Sequence, residues 1–252
     1  MDTGLADKVV LITGAAAGMG REMAKAFAGE RSRVVVADID DRRGAESVEL
    51  IRSAGAQGDF FHLDVSDRSA VFSVVAEIEK RHGPVDVLVN NAGIITMGAI
   101  EELTEADWDH LQAINVKGPL FCIQAVVPAM RKKGGGRIIN VCSVVSKMAG
   151  SMPYAHYSAS KAALWSLTMS AAREFAPIPI TVNGVAPGSI VNTDFSKDFN
   201  LSTDPEVIGR AIPMRRRGDP FEVAPAVVFL ASDAAAYITG ELIDVNGGLL
   251  MD

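Results

Sequence analysis

The chain alternates short runs of apolar, β-branched residues with longer amphipathic stretches along most of its length. Residues 9–12 and 34–37 are typical of the runs, and they show no alternation of apolar and polar positions. Continuous runs of this kind indicate parallel strands that are buried on both faces. Their alternation with helical stretches indicates right-handed strand–helix–strand units. The sequence therefore predicts an α/β fold with a doubly wound, seven-stranded parallel sheet and helices on both faces.

A length of 252 residues suits one domain of this class. No linker rich in proline, glycine or serine divides the chain, so we predict a single domain over residues 1–252. The least regular stretch is about 189–219, and irregular segments of this kind often close over a ligand. We expect it to form a substrate lid, with Phe195 and Phe199 near the substrate.

Composition argues against several classes of function. The formal net charge of −7 disfavours a nucleic-acid binder, which needs a basic face. No apolar stretch approaches the roughly 20 residues that cross a bilayer, and the first residues are too polar for a signal peptide. Cys122 and Cys142 are expected to be buried thiols, and the four histidines lack ligand spacing. We therefore expect no nucleic acid, membrane or metal, and a cytoplasmic location.

A glycine-rich turn follows the first predicted strand and opens the first predicted helix, with Gly14, Gly18, Met19 and Gly20. Glycines let the backbone approach a pyrophosphate closely, and the free N–H groups of a helix N-terminus attract that anion. In a Rossmann-type sheet this is where a dinucleotide binds. An ordinary glycine-rich turn explains the same residues when the turn is taken alone.

Asp38 ends the second predicted strand, about 20 residues past the glycine-rich turn. A carboxylate there accepts hydrogen bonds from the adenosine ribose hydroxyls and repels a 2′-phosphate. Ala17 and Ile39 supply no cation nearby, and Arg42 and Arg43 are expected to be exposed in the first turn of a helix. The sequence therefore favours NAD over NADP.

Asp64 and Val65 end the third predicted strand, where a carboxylate could meet the amino group of adenine. The alternative is that Asp64 caps the following helix, a role that Ser66 or Asp67 could equally fill.

Tyr157 and Lys161 stand four residues apart within a predicted helix. Residues at this spacing share a helix face, so a phenol and an ammonium would lie side by side. The ammonium favours phenolate, which lowers the pKa of the tyrosine from its usual value near 10. Together with a dinucleotide site, such a pair suggests an enzyme that moves a hydride and a proton. Taken alone, it could equally be a pair on a helix surface.

These motifs, in this order and spacing, resemble the short-chain dehydrogenases/reductases over about residues 7–248. The matching residues are Thr13, Gly14, Gly18, Met19, Gly20, Asp38, Asp64, Val65, Asn90, Asn91, Ala92, Gly93, Asn115, Val116, Lys117, Gly118, Ser143, Tyr157, Lys161, Pro187, Gly188, Asp244, Gly247 and Gly248.

The resemblance implies a nicotinamide cofactor and the oxidation of alcohols or reduction of carbonyls. Its catalytic tetrad falls on Asn115, Ser143, Tyr157 and Lys161. Tyr157 would be the general acid/base, Ser143 would bind the substrate oxygen, and Lys161 would bind the nicotinamide ribose. Asn115 would sit at a helix irregularity and hold a water linked to Lys161. The implied cofactor-binding residues are Gly14, Gly18, Met19, Gly20, Asp38, Ile39, Asp64, Val65, Asn91, Ala92, Gly93, Tyr157, Lys161, Pro187, Gly188, Ile190 and Thr193.

Two spacings differ from the family's usual pattern. The interval from Ser143 to Tyr157 is one residue longer, which lengthens the predicted substrate loop over 144–154. Four residues, where the family usually has three, separate Gly188 from Thr193, the residue expected to hold the nicotinamide amide.

The predicted function is NAD(H)-dependent interconversion of a secondary alcohol and its ketone, with polyols and sugars among the candidate substrates. One alternative is an NADPH-dependent carbonyl or 3-oxoacyl reductase, which Asp38 disfavours. The other is a non-catalytic dinucleotide-sensing protein, which would not need the tetrad. An enoyl reductase would usually place more residues between its tyrosine and lysine.

The substrate pocket is expected to be mainly apolar. Its predicted walls are the 144–154 loop, the lid, Ile94, Ile95 and Met97. The polar side chains expected there are Ser146, Lys147, Tyr154 and Asn192, and Lys147 is expected to be solvated. The resemblance also implies a homotetramer, formed through the helices near 105–131 and 157–176 and the last strand.

Overall fold

The computed structural model describes residues 3–148, 153–193 and 205–251. Within these ranges, parallel strands form a seven-stranded sheet in the order β3-β2-β1-β4-β5-β6-β7. The strands are β1 (Val9–Thr13), β2 (Arg33–Asp38), β3 (Gln57–His62), β4 (Val87–Asn90), β5 (Gly136–Val141), β6 (Ile180–Pro187) and β7 (Leu242–Val245). The strand order reverses between β1 and β4, and ligands bind outside the carboxyl ends of strands at such a point. The predicted doubly wound, Rossmann-type sheet is confirmed.

Helices cover both faces of the sheet. They are α1 (Gly18–Gly29), α2 (Asp41–Ser53), α3 (Arg68–His82), α4 (Glu105–Gln112), α5 (Gly118–Lys133), α6 (Ala155–Phe175), α7 (Pro205–Ala211) and α8 (Pro220–Ala231). A π-helical turn, Ala113–Lys117, joins α4 to α5.

The core lies in two layers, one on each face of the sheet. Neighbouring β1 residues supply both layers, since side chains alternate along a strand. Ile12 packs with Met23 and Phe27 of α1 on one face. Leu11 packs with the residues of α3 and α5 on the other face. Both β1 residues are fully buried, so the unbroken apolar runs reflect a strand with no solvent-facing side.

Capping residues fix where most of the first helices begin. Asp40 accepts a hydrogen bond from a backbone N–H of α2. Asp67 accepts two at the start of α3, which identifies it as the cap in place of Asp64. Thr104 and Asp107 form a reciprocal capping box on α4. α1 differs, because no side chain in the described part of the chain caps it and its first turn holds no acid.

The helical run Glu105–Lys133 has a mean hydropathy of 1.3 in its most apolar window, and by length and composition alone it could cross a membrane. The prediction that no apolar stretch approaches the length that crosses a bilayer did not include this run. In the protein, Cys122, Val126 and Met130 of this run pack into the core beside the sheet. Burial in that core accounts for the apolar composition.

The 189–219 stretch is more regular than predicted, because it contains α7. Ile190 also pairs with Gly218 in an isolated bridge that closes the base of the stretch. The predicted lid residues Phe195 and Phe199 lie outside the described residues, as do residues 149–152 of the predicted substrate loop.

Candidate active site

The glycine-rich turn leaves β1 and enters α1 at the carboxyl edge of the sheet. Gly14 has a φ of +66°, and a Cβ there would lie 2.7 Å from Ala92 Cα. A Cβ on Gly20 would lie 2.2 Å from the carbonyl oxygen of Gly14. Both positions therefore require glycine, since any larger residue would push the turn apart.

Hydrogen bonds tie the ends of β1 and β4 together beside this turn. Thr13 Oγ1 accepts from the backbone N–H groups of Asn91 and Ala92, both at 3.1 Å. Asn91 Nδ2 donates to the carbonyl oxygens of Thr13 and Gly14, at 3.0 and 2.8 Å. The side chain of Asn91 therefore holds the glycine-rich turn in place.

A cavity of about 390 Å³ opens at this edge of the sheet. Most of the predicted cofactor residues line it, namely Gly14, Gly18, Met19, Gly20, Asp38, Ile39, Asp64, Val65, Asn91, Ala92, Gly93 and Thr193. The free N-terminus of α1 lies in the same wall, where backbone N–H groups can bind a phosphate. These features fit a dinucleotide.

Five predicted cofactor residues do not line this cavity, namely Tyr157, Lys161, Pro187, Gly188 and Ile190. Pro187 ends β6, and a Cβ on Gly188 would meet Asn246 at 2.8 Å, so its position serves the packing of the C-terminal segment. Ile190 packs against the α1–α8 side of the core.

Other residues line the cavity without having been predicted to bind the cofactor: Ala16, Ala17, Arg43, Leu63, Ile94, His110 and Ile114. For two of these residues, the spacing in the sequence could have predicted a place in the cavity wall. His110 and Ile114 are four residues apart, and the second directly precedes Asn115, so helical spacing places both on the face that meets the site.

Asp38 lies at the end of β2, in the wall of the cavity. Its Oδ2 accepts from the backbone N–H of Ala16 at 2.9 Å, and its Oδ1 accepts from that of Asp40 at 3.0 Å. These bonds fix the carboxylate beside the glycine-rich turn.

Arg43 differs from its prediction, because it lies in the cavity wall instead of being fully exposed. Its Nε donates to Asp40 Oδ2 at 2.6 Å, which draws the guanidinium to the start of α2. Arg42 is exposed as predicted and pairs with Glu46.

Ser143 and Tyr157 form the centre of the predicted tetrad. Ser143 follows β5 and caps the short 3-10 turn Val144–Ser146, while Tyr157 lies in the first turns of α6. Burial raises the pKa of the Tyr157 phenol to about 12, and a hydrogen bond with the Ser143 side chain acts in the opposite direction. The two hydroxyls therefore share one site.

Lys161 is buried one helical turn from Tyr157. Its Nζ donates to the carbonyl oxygen of Val141 at 2.9 Å and lies 5.8 Å from the centre of the Tyr157 ring. Burial lowers the pKa of Lys161 to about 8. The expected lowering of the Tyr157 pKa is therefore not found in the protein alone, because desolvation disfavours charge on both groups.

Asn115 lies in the π-helical turn, as the resemblance implied, and it is fully buried. Its Nδ2 donates to the carbonyl oxygen of Ile94 and to Ser160 Oγ, and its Oδ1 accepts from the N–H of Ile94. A Cβ on Gly93 would lie 3.1 Å from Asn115 Oδ1 and 3.5 Å from Lys161 Nζ. Asn115 and Lys161 therefore meet the cavity at Gly93.

Fold and site together define an oxidoreductase of the doubly wound α/β class, with a dinucleotide site beside a serine–tyrosine–lysine cluster. The sequence profile of a family described as enoyl-(acyl carrier protein) reductase matches residues 14–250. The chain belongs to the short-chain dehydrogenase/reductase family, whose members use a nicotinamide dinucleotide.

The similarity to other proteins extends over nearly the whole chain. An uncharacterized oxidoreductase of Thermotoga maritima is 40% identical, with 96% of each chain covered. The 3-oxoacyl-[acyl-carrier-protein] reductase FabG of Staphylococcus epidermidis is 40% identical, with 97% of this chain and 100% of the relative covered. A solved structure from Sinorhizobium meliloti, described as a short-chain alcohol dehydrogenase, has a TM-score of 0.92 at 35% identity, with 97% of each chain covered.

Proposed function

We propose that the protein interconverts a secondary alcohol and its ketone with NAD(H), using Tyr157 as the general acid/base. The observation that carries this proposal is the buried pair of Tyr157 and Lys161, in which Nζ lies 5.8 Å from the centre of the tyrosine ring. The Ser143 side chain lowers the pKa of the same phenol, and Lys161 meets the dinucleotide cavity at Gly93.

The chain's own part in the reaction is the movement of a proton. When bound, the nicotinamide dinucleotide supplies the hydride acceptor or donor. During oxidation, Tyr157 Oη accepts the proton of the substrate hydroxyl, and during reduction it donates that proton to the carbonyl oxygen. Ser143 hydrogen-bonds the same oxygen and fixes its position relative to Tyr157.

The pKa values of Tyr157 and Lys161 set the protonation state of the site before a ligand binds. With a pKa of about 12, Tyr157 is protonated at neutral pH. With a pKa of about 8, Lys161 changes charge close to neutrality. The protein alone is thus prepared to donate a proton, and the oxidative direction needs the phenol to ionise.

Asp38 supports NAD over NADP. Its carboxylate is held in the cavity wall by two backbone N–H groups, where it would accept bonds from ribose hydroxyls and repel a 2′-phosphate. Ile39, the next residue, is 65% exposed and brings no charge.

A second candidate is an NADPH-dependent carbonyl or 3-oxoacyl reductase. The observation that favours it is Arg43, which lies in the same cavity wall and could turn from Asp40 to a 2′-phosphate. The name of the Staphylococcus epidermidis relative points the same way. An enoyl reductase is disfavoured, because only three residues separate Tyr157 from Lys161.

The test is nicotinamide absorbance with NAD⁺ and NADP⁺ over a panel of secondary alcohols, polyols and sugars, and with NADH and NADPH over ketones and a 3-oxoacyl thioester. We expect NAD⁺-dependent oxidation. Preference for NADPH, abolished in Arg43→Ala, would establish the second candidate instead. Tight NADH binding without turnover of any substrate would support a dinucleotide sensor.

The homotetramer and the cytoplasmic location remain predictions. Met169, on the outer face of α6, is 44% exposed, and Trp165 beside it is partly buried. Both would be covered by a partner helix in a homotetramer. Gel filtration that showed only a species of 26.6 kDa would exclude the tetramer.

A further inference from the structure

After β7, the chain turns back toward the predicted tetrad, on the side of Tyr157. Residues 246–250, here called the C-terminal turn, are held by Asn246. Asn246 Oδ1 accepts from the N–H of Gly248 at 2.9 Å, and its Nδ2 donates to the carbonyl oxygen of Leu250 at 3.1 Å. The carbonyl oxygen of Gly247 accepts from the N–H of Met214 at 3.1 Å. The turn is therefore an ordered element.

Two leucines of the C-terminal turn border the apolar cluster around Tyr157. Leu249 and Leu250 pack against a cluster that contains Tyr157, Val144 and Val145. Both leucines are only partly buried, so part of each side chain stays available for contact with a ligand. Ile94 and Ile95 border the same cluster, which makes the surroundings of Tyr157 apolar on several sides.

An ion pair fastens the end of β7 to the segment that carries Ser143. Lys147 Nζ lies 2.9 Å from Asp244 Oδ2, and both side chains are largely buried, with 18% and 20% exposed. The expectation that Lys147 would be solvated is therefore wrong, because the carboxylate beside it holds the ammonium against β7.

The polar side chains expected in the substrate pocket are largely bound within the protein. Ser146 Oγ donates to the carbonyl oxygen of Lys161 at 2.9 Å. Lys147 pairs with Asp244, and Asn192 Nδ2 donates to Asp219 at 3.1 Å. A substrate rich in hydroxyl groups would have to compete with these bonds, whereas an apolar group would not.

We propose that the C-terminal turn forms one wall of the substrate pocket, and that Leu249 and Leu250 select a secondary alcohol or ketone with an apolar arm over a polyol or sugar. This inference rests on the proposed function and narrows its substrate class. Asp244 and Lys147 are positioning residues, since they hold the turn and the Ser143 segment together and touch no reacting atom.

The test compares Leu249→Ala and Leu250→Ala with Met251→Ala. Met251 follows the two leucines and is 75% exposed, so its truncation is the matched control. The substrates are 2-butanol, 2-octanol and sorbitol with NAD⁺ or NADP⁺. For the wild type we expect the highest kcat/KM with 2-octanol. Each leucine variant should lose about tenfold in kcat/KM for 2-octanol relative to 2-butanol, mainly through KM, and Met251→Ala should lose none.

Equal losses for 2-butanol and 2-octanol, or wild-type preference for sorbitol, would overturn the inference. A readout independent of turnover separates its failure from failure of the proposed reaction. With NADH present, 2-octanone should raise the Tm of the wild type and of Met251→Ala, and raise that of Leu249→Ala less. A Tm rise of the same size in all three proteins would overturn the proposal that the C-terminal turn forms a wall of the pocket, whatever reaction the enzyme performs.

Discussion

The cofactor half and the substrate half of the crevice are built in different ways. The cofactor half comes from three short segments at the ends of β1, β2 and β4, and hydrogen bonds between side chains and backbone hold them together. The substrate half gathers Ile94, Val144, Tyr157 and Leu249 from four distant parts of the sequence, and they meet through apolar packing. Short motifs and their specific hydrogen bonds specify the first half, whereas side-chain volume specifies the second, so only the first must keep fixed residues.

The largest expected effect separates the two halves completely. Tyr157→Phe keeps the ring but removes the proton-transferring oxygen, so turnover should fall about 10²- to 10⁴-fold while NADH affinity changes far less. Steady-state kinetics and NADH fluorescence titration measure the two quantities. Tyr154→Phe is the control, because the Tyr154 ring packs edge-on against the Tyr157 ring, with 5.8 Å between the ring centroids. If NADH affinity fell together with turnover, the two halves would not be separable.

A substitution in the glycine-rich turn should damage the cofactor half first. In Gly20→Ala the new Cβ would press on the carbonyl oxygen of Gly14, so we expect a loss of about 1–3 kcal/mol in the free energy of unfolding and weaker NADH binding. Urea denaturation and NADH titration measure these effects. Gly29→Ala lies in the same helix, and among the described residues no atom outside its own stretch of helix lies within 4 Å of the new Cβ. If that control lost as much NADH affinity, the close approach at Gly20 would not be the cause.

Removal of the Asp38 charge should change which cofactor is used and leave the substrate half intact. Serine is the suitable replacement. In asparagine, the side-chain NH₂ would face one of the two backbone N–H groups that now donate to Asp38. In Asp38→Ser the ratio of kcat/KM with NAD⁺ to that with NADP⁺ should fall about tenfold, or 1.4 kcal/mol. Asp41→Ser, whose side chain is 72% exposed, is the control. An unchanged ratio in Asp38→Ser would exclude Asp38 from cofactor selection.

The smallest expected effect is a shift in the pH dependence of kcat/KM for oxidation. Oxidation needs ionised Tyr157, so kcat/KM for oxidation should rise with pH toward its pKa, while kcat/KM for reduction should not rise. The hydrogen bond from Ser143 lowers the Tyr157 pKa, so Ser143→Ala should move the rising limb to higher pH. Ser146→Ala is the control, because its hydroxyl binds the carbonyl oxygen of Lys161. A limb that moved to lower pH in Ser143→Ala would contradict this assignment.

The sequence pattern predicted the sheet and most of the residues that line the cavity, for a physical reason. A strand buried on both faces must be apolar throughout, and a turn as tight as the one at Gly14 tolerates no Cβ, so both leave local signals. It missed the regular helix α7 within the 189–219 stretch.

Contacts between segments distant in sequence escaped prediction. The Lys147–Asp244 pair joins residues 97 apart in sequence, and neither residue type signals its partner. Leu249 and Leu250 are ordinary apolar residues whose role comes only from the direction in which the chain turns after β7. The position of Arg43 in the cavity wall depends on its pairing with Asp40, which spacing alone does not distinguish from solvent exposure.

The π-helical turn at Ala113–Lys117 sets the stability of the helix against the position of Asn115, a residue of the predicted tetrad. Such a turn contains one residue more than a regular helix would use, which costs hydrogen-bond quality. Deletion of one residue there would let α4 run straight into α5, but it would rotate Asn115 by about 100° around the helix axis. The shortened chain would gain helical regularity and lose the contacts that Asn115 makes with Ile94 and Ser160. Selection for thermal stability alone would therefore act against the extra residue, and under the proposed function a homologue without it is expected to have lost turnover as well.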